Sequence, residues 1–307
     1  MVQITSLPLF TADAFATDQA FTGNPAAVVL LDKDYDDSML QKIALEMNLS
    51  ETAFVKSLEN KPFEDGSSFS LRWMTPTDEV PLCGHATLAT SHILFNVIGN
   101  GNKSLTFKTK SGELVCEKQK AAGFIGMDFP QQPALPVNPS NFPELFTGGK
   151  MVGWLQQLVA DVSCGYKVDS VHLCKAAKNF MVVLEKSCGR AAFESLHPDT
   201  EKMLAGQPSG DIIQGVILTA QGLGTESGDF DFYSRYFAPW VGIAEDPATG
   251  STHCHLSPYW SAVLGKTEMK ARQCSKRGAN FHLKMLQGGR MFISGKAVTV
   301  LQGKISF

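Results

Sequence analysis

A chain of 307 residues with 44% apolar side chains has material for two packed cores, so two domains, or one domain duplicated, is the first expectation. Lys and Arg number 27 against 30 Asp and Glu, and a net charge of -3 offers no field for gripping a polyphosphate, which argues against nucleic acid as a partner. Apolar runs such as Ala26–Leu31 fall far short of the roughly 20 residues that span a bilayer, and Met1–Phe10 lacks the basic and apolar regions of a signal peptide. A cytoplasmic protein with no membrane partner is expected. Seven cysteines, an odd number with no C-x-x-C pair, read as reduced and mostly buried thiols. Neither a G-x-G-x-x-G turn nor a P-loop occurs, so nucleotide cofactors lose their usual support.

In chain order, Gly23-Asn24-Pro25-Ala26-Ala27-Val28-Val29-Leu30 predicts an Asn turn feeding a buried strand. Met39, Leu40, Ile43, Ala44 and Met47 carry a helical period, which gives way to period-two alternation at Asn48-Leu49-Ser50-Glu51-Thr52-Ala53-Phe54-Val55. Ser68–Met74 and Phe124–Phe129 read as strands. Pro130, Pro133, Pro136, Pro139 and Pro143 then rule out regular structure and mark a boundary. Beyond it the chain repeats itself. Arg72-Trp73-Met74-Thr75-Pro76 is echoed by Arg235-Tyr236-Phe237-Ala238-Pro239, and the Asn24 segment by Lys178-Asn179-Phe180-Met181-Val182-Val183-Leu184. Each arginine motif is followed by acids (Asp78 and Glu79; Glu245 and Asp246) and a small-residue turn before a helix: Cys83-Gly84-His85-Ala86-Thr87 and Asp246-Pro247-Ala248-Thr249-Gly250-Ser251.

The expected fold is therefore α/β (α+β), as two similar halves with residues 1–129 in one and 130–296 in the other. The final strand, 297–307, is a candidate to return to the first half. If the halves face each other across a pseudo-twofold, both turns present helix-start N–H groups to a shared cleft, where a substrate carboxylate would be held. Acid and base groups beside it would suit proton abstraction and return.

The candidate residues each carry an ordinary reading as well. Alternation puts Glu51 on a face with Ala53 and Val55, where desolvation would raise its pKa toward that of a general base. A solvated acid at a strand end explains the same pattern. His85 could meet a ligand or serve as a structural hydrogen-bonder. Asp246 precedes proline and is expected to cap the following turn; Ser251 could donate to a substrate or start a helix. Cys83 would be one base of a cysteine racemase, but its repeat position holds Asp246 or Pro247. Its i, i+2 spacing from His85 makes a thiol–imidazole pair awkward. His253-Cys254-His255 resembles a metal cluster but lacks further ligands, and no metal is expected. Lys266, Lys270, Arg272, Lys276 and Arg277 read as a solvated basic face.

Taken together, Asp13-Ala14-Phe15, Gly23-Asn24-Pro25-Ala26, Ser50-Glu51-Thr52-Ala53-Phe54, Pro81-Leu82-Cys83-Gly84-His85-Ala86-Thr87 and Glu245-Asp246-Pro247-Ala248-Thr249-Gly250-Ser251 resemble the PhzF family of phenazine biosynthesis-like proteins, nearly end to end. The resemblance implies the diaminopimelate epimerase-like fold: two halves, each a curled, mostly antiparallel sheet around a central helix, with the active site in the cleft between. It implies a cofactor-free isomerase in which Glu51 carries a proton on a small carboxylate substrate, supported by His85, Asp246 and Ser251 with Gly84 and Gly250, in a homodimer. Two other functions remain open: a cysteine-assisted racemase or epimerase using Cys83, and a non-catalytic regulator that binds a protein partner.

Overall fold

The computed structural model describes residues 5–59, 61–121, 123–222 and 230–307, so part of the Met1–Phe10 reading lies outside the described residues. The chain divides into two compact units. One comprises Met1–Phe129, Ala279–Phe281 and Phe292–Phe307; the other comprises Pro130–Gly278 and His282–Met291. The C-terminal segment Phe292–Phe307 thus lies with the first unit.

In the first unit, β1 (Ser6–Ala16) and β2 (Asn24–Leu31) pair antiparallel. Gly23 makes their connection: at φ 70° its missing Cβ would lie 2.2 Å from the Ala14 carbonyl, so no larger residue fits. Helix α1 (Asp37–Met47) follows, burying Leu40, Ile43 and Ala44 against Ala27, Val29 and Phe54 of the sheet. Asn48, in the left-handed conformation that Asn tolerates, ends the helix, its N–H donating to the Ala44 carbonyl at 3.1 Å. The chain then enters β3 (Glu51–Ser57), parallel to β2, and β4 (Ser68–Met74), antiparallel to β3. After the short β5 (Glu79–Val80) come α2 (Gly84–His92), β6 (Ser104–Thr109), β7 (Gly112–Lys118) and β8 (Ile125–Pro130). The chain's last strand, Arg290–Ser306, lies beside β8 and pairs antiparallel with β1, so the strands of this unit close on themselves.

Helix α2 is enclosed by that sheet, and every residue from His85 to His92 is buried. Thr and Ser are indifferent helix formers. They are tolerated here because each hydroxyl is satisfied by the helix's own carbonyls: Thr87 Oγ1 donates to Cys83 O at 2.6 Å, Thr90 Oγ1 to Ala86 O at 2.8 Å and Ser91 Oγ to Thr87 O at 2.8 Å. Their small size lets the strands approach closely.

The second unit is built on the same plan. β9 (Val168–Cys174) pairs antiparallel with β10 (Asn179–Leu184), which runs parallel to β11 (Gly215–Gln221), as β1, β2 and β3 do. β12 (Phe232–Phe237) is antiparallel to β11 and parallel to β13 (Glu268–Gln273), as β4 is to β3 and β6. The helix His253–Leu264 is buried along His253–Ser257, and its Trp260 stacks on Phe232 at 5.6 Å and donates to Thr219 Oγ1 at 3.0 Å. On the other sheet face, the helix Gly153–Ser163 packs Leu155 and Leu158 into a core with Phe180, Val182, Val216 and Leu218.

The proline-rich stretch is not wholly irregular. Leu135–Pro136 pairs with His172–Leu173 at the sheet edge, the one place in a sheet where proline costs no ladder bond, and Pro143–Leu145 forms a 3-10 turn. No helix among the described residues is long and apolar enough to cross a membrane.

Candidate active site

Four sequence candidates of the first unit come together where β3 begins and α2 starts. Glu51 opens β3, on the face it shares with buried Ala53 and Val55, whereas Phe54 points to the α1 layer. His85 is the second residue of α2 and Gly84 the first, with Cys83 at the N-cap. Glu51 Oε2 lies 3.1 Å from His85 Nε2, with only 16% of the acid side chain and 8% of the imidazole exposed. Ser50 Oγ stands 3.4 Å from the same nitrogen. On the other ring nitrogen, Nδ1, Cys83 Sγ approaches to 3.5 Å and Asn24 Nδ2 to 3.4 Å. The thiol–imidazole pairing that i, i+2 spacing made awkward is therefore present: an extended Cys83 (φ -143°, ψ 112°) turns its side chain back over the first helical turn.

Electrostatics depart from the sequence expectation. Burial pushes the Glu51 carboxyl up, as alternation suggested, but the facing His85 charge and hydrogen bonds from His85, Ser50 and Cys83 outweigh it, so its pKa is lowered overall. Burial likewise disfavours charge on His85, yet Cys83 and Glu51 lift its pKa well above the ordinary imidazole value. The Cys83 thiol is pushed up, chiefly by burial, so it stands as a neutral thiol. What remains to hold the imidazolium is the carboxylate. The resting arrangement is a charged Glu51–His85 pair with a protonated thiol beside it.

Ligand-type atoms of Glu51, Cys83 and His85 lie within 4.8 Å of one another. A metal site needs its donors to converge on one ion. Here the carboxylate and the thiol approach different nitrogens of one ring, so the three donors do not converge on one point.

Asp246, Gly250 and Ser251 belong to the second unit and share one turn. Thr249 Oγ1 donates to Asp246 Oδ2 across that turn. Gly250 is buried and Ser251 exposed, and the helix begins at His253. Gln273, which no sequence pattern singled out, pins this turn: its Oε1 accepts from the Thr249 amide at 2.8 Å and its Nε2 donates to the Asp246 carbonyl at 2.7 Å. One helix-start amide expected to face a substrate is thereby taken. His253 and His255 are also engaged. His253 Nδ1 lies 2.9 Å from Thr249 O, and His255 has Nδ1 2.6 Å from Gln132 O and Nε2 3.1 Å from Asn179 Nδ2. Burial lowers His253 to about 4 and lowers His255 as well. Asn24 was legible as a repeat element but not as a site residue; the matched pair Asn24 and Asn179, each touching a central-helix histidine, was the available signal.

A helix wrapped by strands, twice over on one plan, defines the diaminopimelate epimerase-like class of α/β folds. The chain belongs to the PhzF family: the family model described as phenazine biosynthesis-like protein matches residues 12–303. It is 46% identical over 302 residues to phenazine biosynthesis-like domain-containing protein 1 of Mus musculus, covering 98% of this chain and 99% of that one. It is 38% identical over 299 residues, 97% and 98% of the two chains, to a protein of Halalkalibacterium halodurans named an uncharacterized isomerase. Among solved structures, a PhzF-family phenazine biosynthesis protein of Enterococcus faecalis superposes with a TM-score of 0.79 at 32% identity, covering 98% of this chain and 99% of that one.

Proposed function

We propose that the chain is an isomerase that transfers a proton on a carbon of a small carboxylate-bearing substrate, with Glu51 as general base and then general acid. The observation that carries this reading is the largely buried Glu51 carboxylate held at 3.1 Å from His85. A carboxylate with a lowered pKa is ionised at neutral pH and ready to accept a proton, while the imidazolium beside it can stabilise negative charge that develops on the substrate. The pair supplies base and acid without a cofactor. Gly84 at the start of α2, and Asp246, Gly250 and Ser251 in the second unit, are the supporting substrate-binding residues in this reading. The similarity to a protein named an isomerase supports the reaction class.

One observation favours a second reading. The Cys83 thiol 3.5 Å from His85 Nδ1 has the contact that a cysteine-assisted racemase would use, although its raised pKa counts against a thiolate base.

The test is deuterium wash-in followed by proton NMR across a panel of small carboxylates, with wild type and Glu51→Gln side by side. General acid–base groups contribute about 10²–10⁴-fold, so Glu51→Gln should lose wash-in by at least about 100-fold while its circular dichroism and unfolding midpoint stay near wild type. A folded Glu51→Gln protein that exchanges at the wild-type rate would remove Glu51 from the mechanism.

A further inference from the structure

Cys83 occupies the N-cap of α2, where Ser, Thr, Asp or Asn would ordinarily accept a helix amide. Its side chain makes no such cap bond. The backbone of the residue is nevertheless firmly held, its carbonyl taking both the Thr87 amide at 3.2 Å and the Thr87 hydroxyl at 2.6 Å. The side chain is buried, 7% exposed, and faces the two charged groups of the site. Its sulfur stands 3.5 Å from His85 Nδ1 and within 4.8 Å of the Glu51 carboxylate, while Glu51 Oε2 meets the far nitrogen of the same ring. The titratable groups facing His85 are thus Glu51 from β3 and Cys83 from its own helix start; Asn24 from β2 and Ser50 complete the surroundings as neutral neighbours.

We infer that Cys83 is a positioning residue: a neutral thiol that bridges imidazolium and carboxylate, accepting from His85 Nδ1–H and donating S–H to Glu51, and so fixes the ring with Nε2 toward the acid. A thiol suits the task because it is both donor and acceptor, and it stays uncharged when buried. A carboxylate cap would compete with Glu51 for the imidazolium. A hydroxyl reproduces the donor–acceptor pattern on a shorter arm. The kinetic part of this inference rests on the Glu51 reading above; the geometric part does not.

The experiment follows the ring nitrogens of His85 by NMR in protein carrying 15N-histidine, with the signal identified by its loss in His85→Gln, across pH in wild type, Cys83→Ser, Cys83→Ala and Cys83→Val. The valine keeps the volume without hydrogen bonding, should the alanine variant not fold. Cys83→Ala and Cys83→Val are expected to release the His85 proton at lower pH than wild type, with Cys83→Ser staying close to wild type. With any carboxylate that supports wash-in, the two apolar variants should also lose kcat, by up to about 100-fold, with KM little changed, as a misplaced catalytic group does. His85 titrating as in wild type in both apolar variants would overturn the inference, and so would a serine variant that behaves like alanine. Because titration is read without substrate, continued exchange in Glu51→Gln would sink the proton-carrier reading and leave this one standing.

Discussion

The two units share a strand plan and even a contact, an Asn at a strand head touching a His on the central helix, yet the two histidines are held in opposite states. In the second unit His255 meets a backbone carbonyl, Gln132 O, and the neutral amide of Asn179, and burial lowers its pKa. In the first unit His85 meets a thiol and a carboxylate, and its pKa is raised. Burial acts the same way on both rings; the partner decides. The strand registers show why only one unit has the carboxylate. Phe54 lies opposite Arg72 and Leu218 opposite Arg235, and three residues back from each stand Glu51 and Gly215. A Cβ on Gly215 would lie 2.2 Å from the Tyr236 hydroxyl, which instead donates to Asn179 Oδ1 at 3.1 Å. The second unit fills with a tyrosine the space that the first unit uses for its acid.

Exchanging the roles of the two histidines gives the largest contrast. His85→Gln should lower deuterium wash-in per folded molecule by about 100-fold or more, as loss of an acid–base partner does. His255→Gln should leave the rate per folded molecule unchanged but cost about 1–3 kcal/mol in urea unfolding, because it disturbs buried hydrogen bonds to Gln132 and Asn179. If both substitutions acted on stability alone, the assignment of chemistry to one unit would be broken.

A second contrast concerns the repeated arginines. Each grips an acid with two bonds, Arg72 to Glu79 at 2.9 and 2.7 Å and Arg235 to Glu245 at 2.7 and 3.0 Å, and each reaches an outer helical segment, Arg72 through Asp37 and Arg235 through the carbonyls of Phe193 and Leu196. Their surroundings differ: Arg235 is buried, whereas the Arg72 side chain is 30% exposed. Breaking a buried pair leaves an uncompensated charge, so Arg235→Ala should cost about 3–5 kcal/mol, against about 1 kcal/mol for Arg72→Ala. Equal losses by chemical denaturation would show that burial does not separate them.

Much of this was legible in the sequence because the repeat lies in short, chemically distinctive strings. The arginine motif, the Asn turn and the small-residue helix start each survive duplication, and alternation alone placed Glu51 with Ala53 and Val55. What could not be read is set by partners distant along the chain. Whether Glu51 rises or falls in pKa depends on a histidine that the fold, not the local pattern, brings to 3.1 Å. The pinning of the Asp246 turn by Gln273 is of the same kind, as is the return of the last strand to β1, which pairs Ser306 with Ser6. The Cys83–His85 contact escaped for another reason: helical spacing rules do not apply to a residue that precedes the helix in an extended conformation.

The most direct test of the central claim is to titrate His85 and His255 in the same wild-type sample by histidine NMR. A group whose pKa is raised keeps its proton above the ordinary imidazole range, whereas one whose pKa is lowered has already given it up below that range. The account predicts that at a pH near 6.5, the unperturbed imidazole value, His85 is still doubly protonated and His255 already neutral. Finding His85 neutral there, or the two rings titrating together, would contradict the charged pair on which the proton chemistry is built.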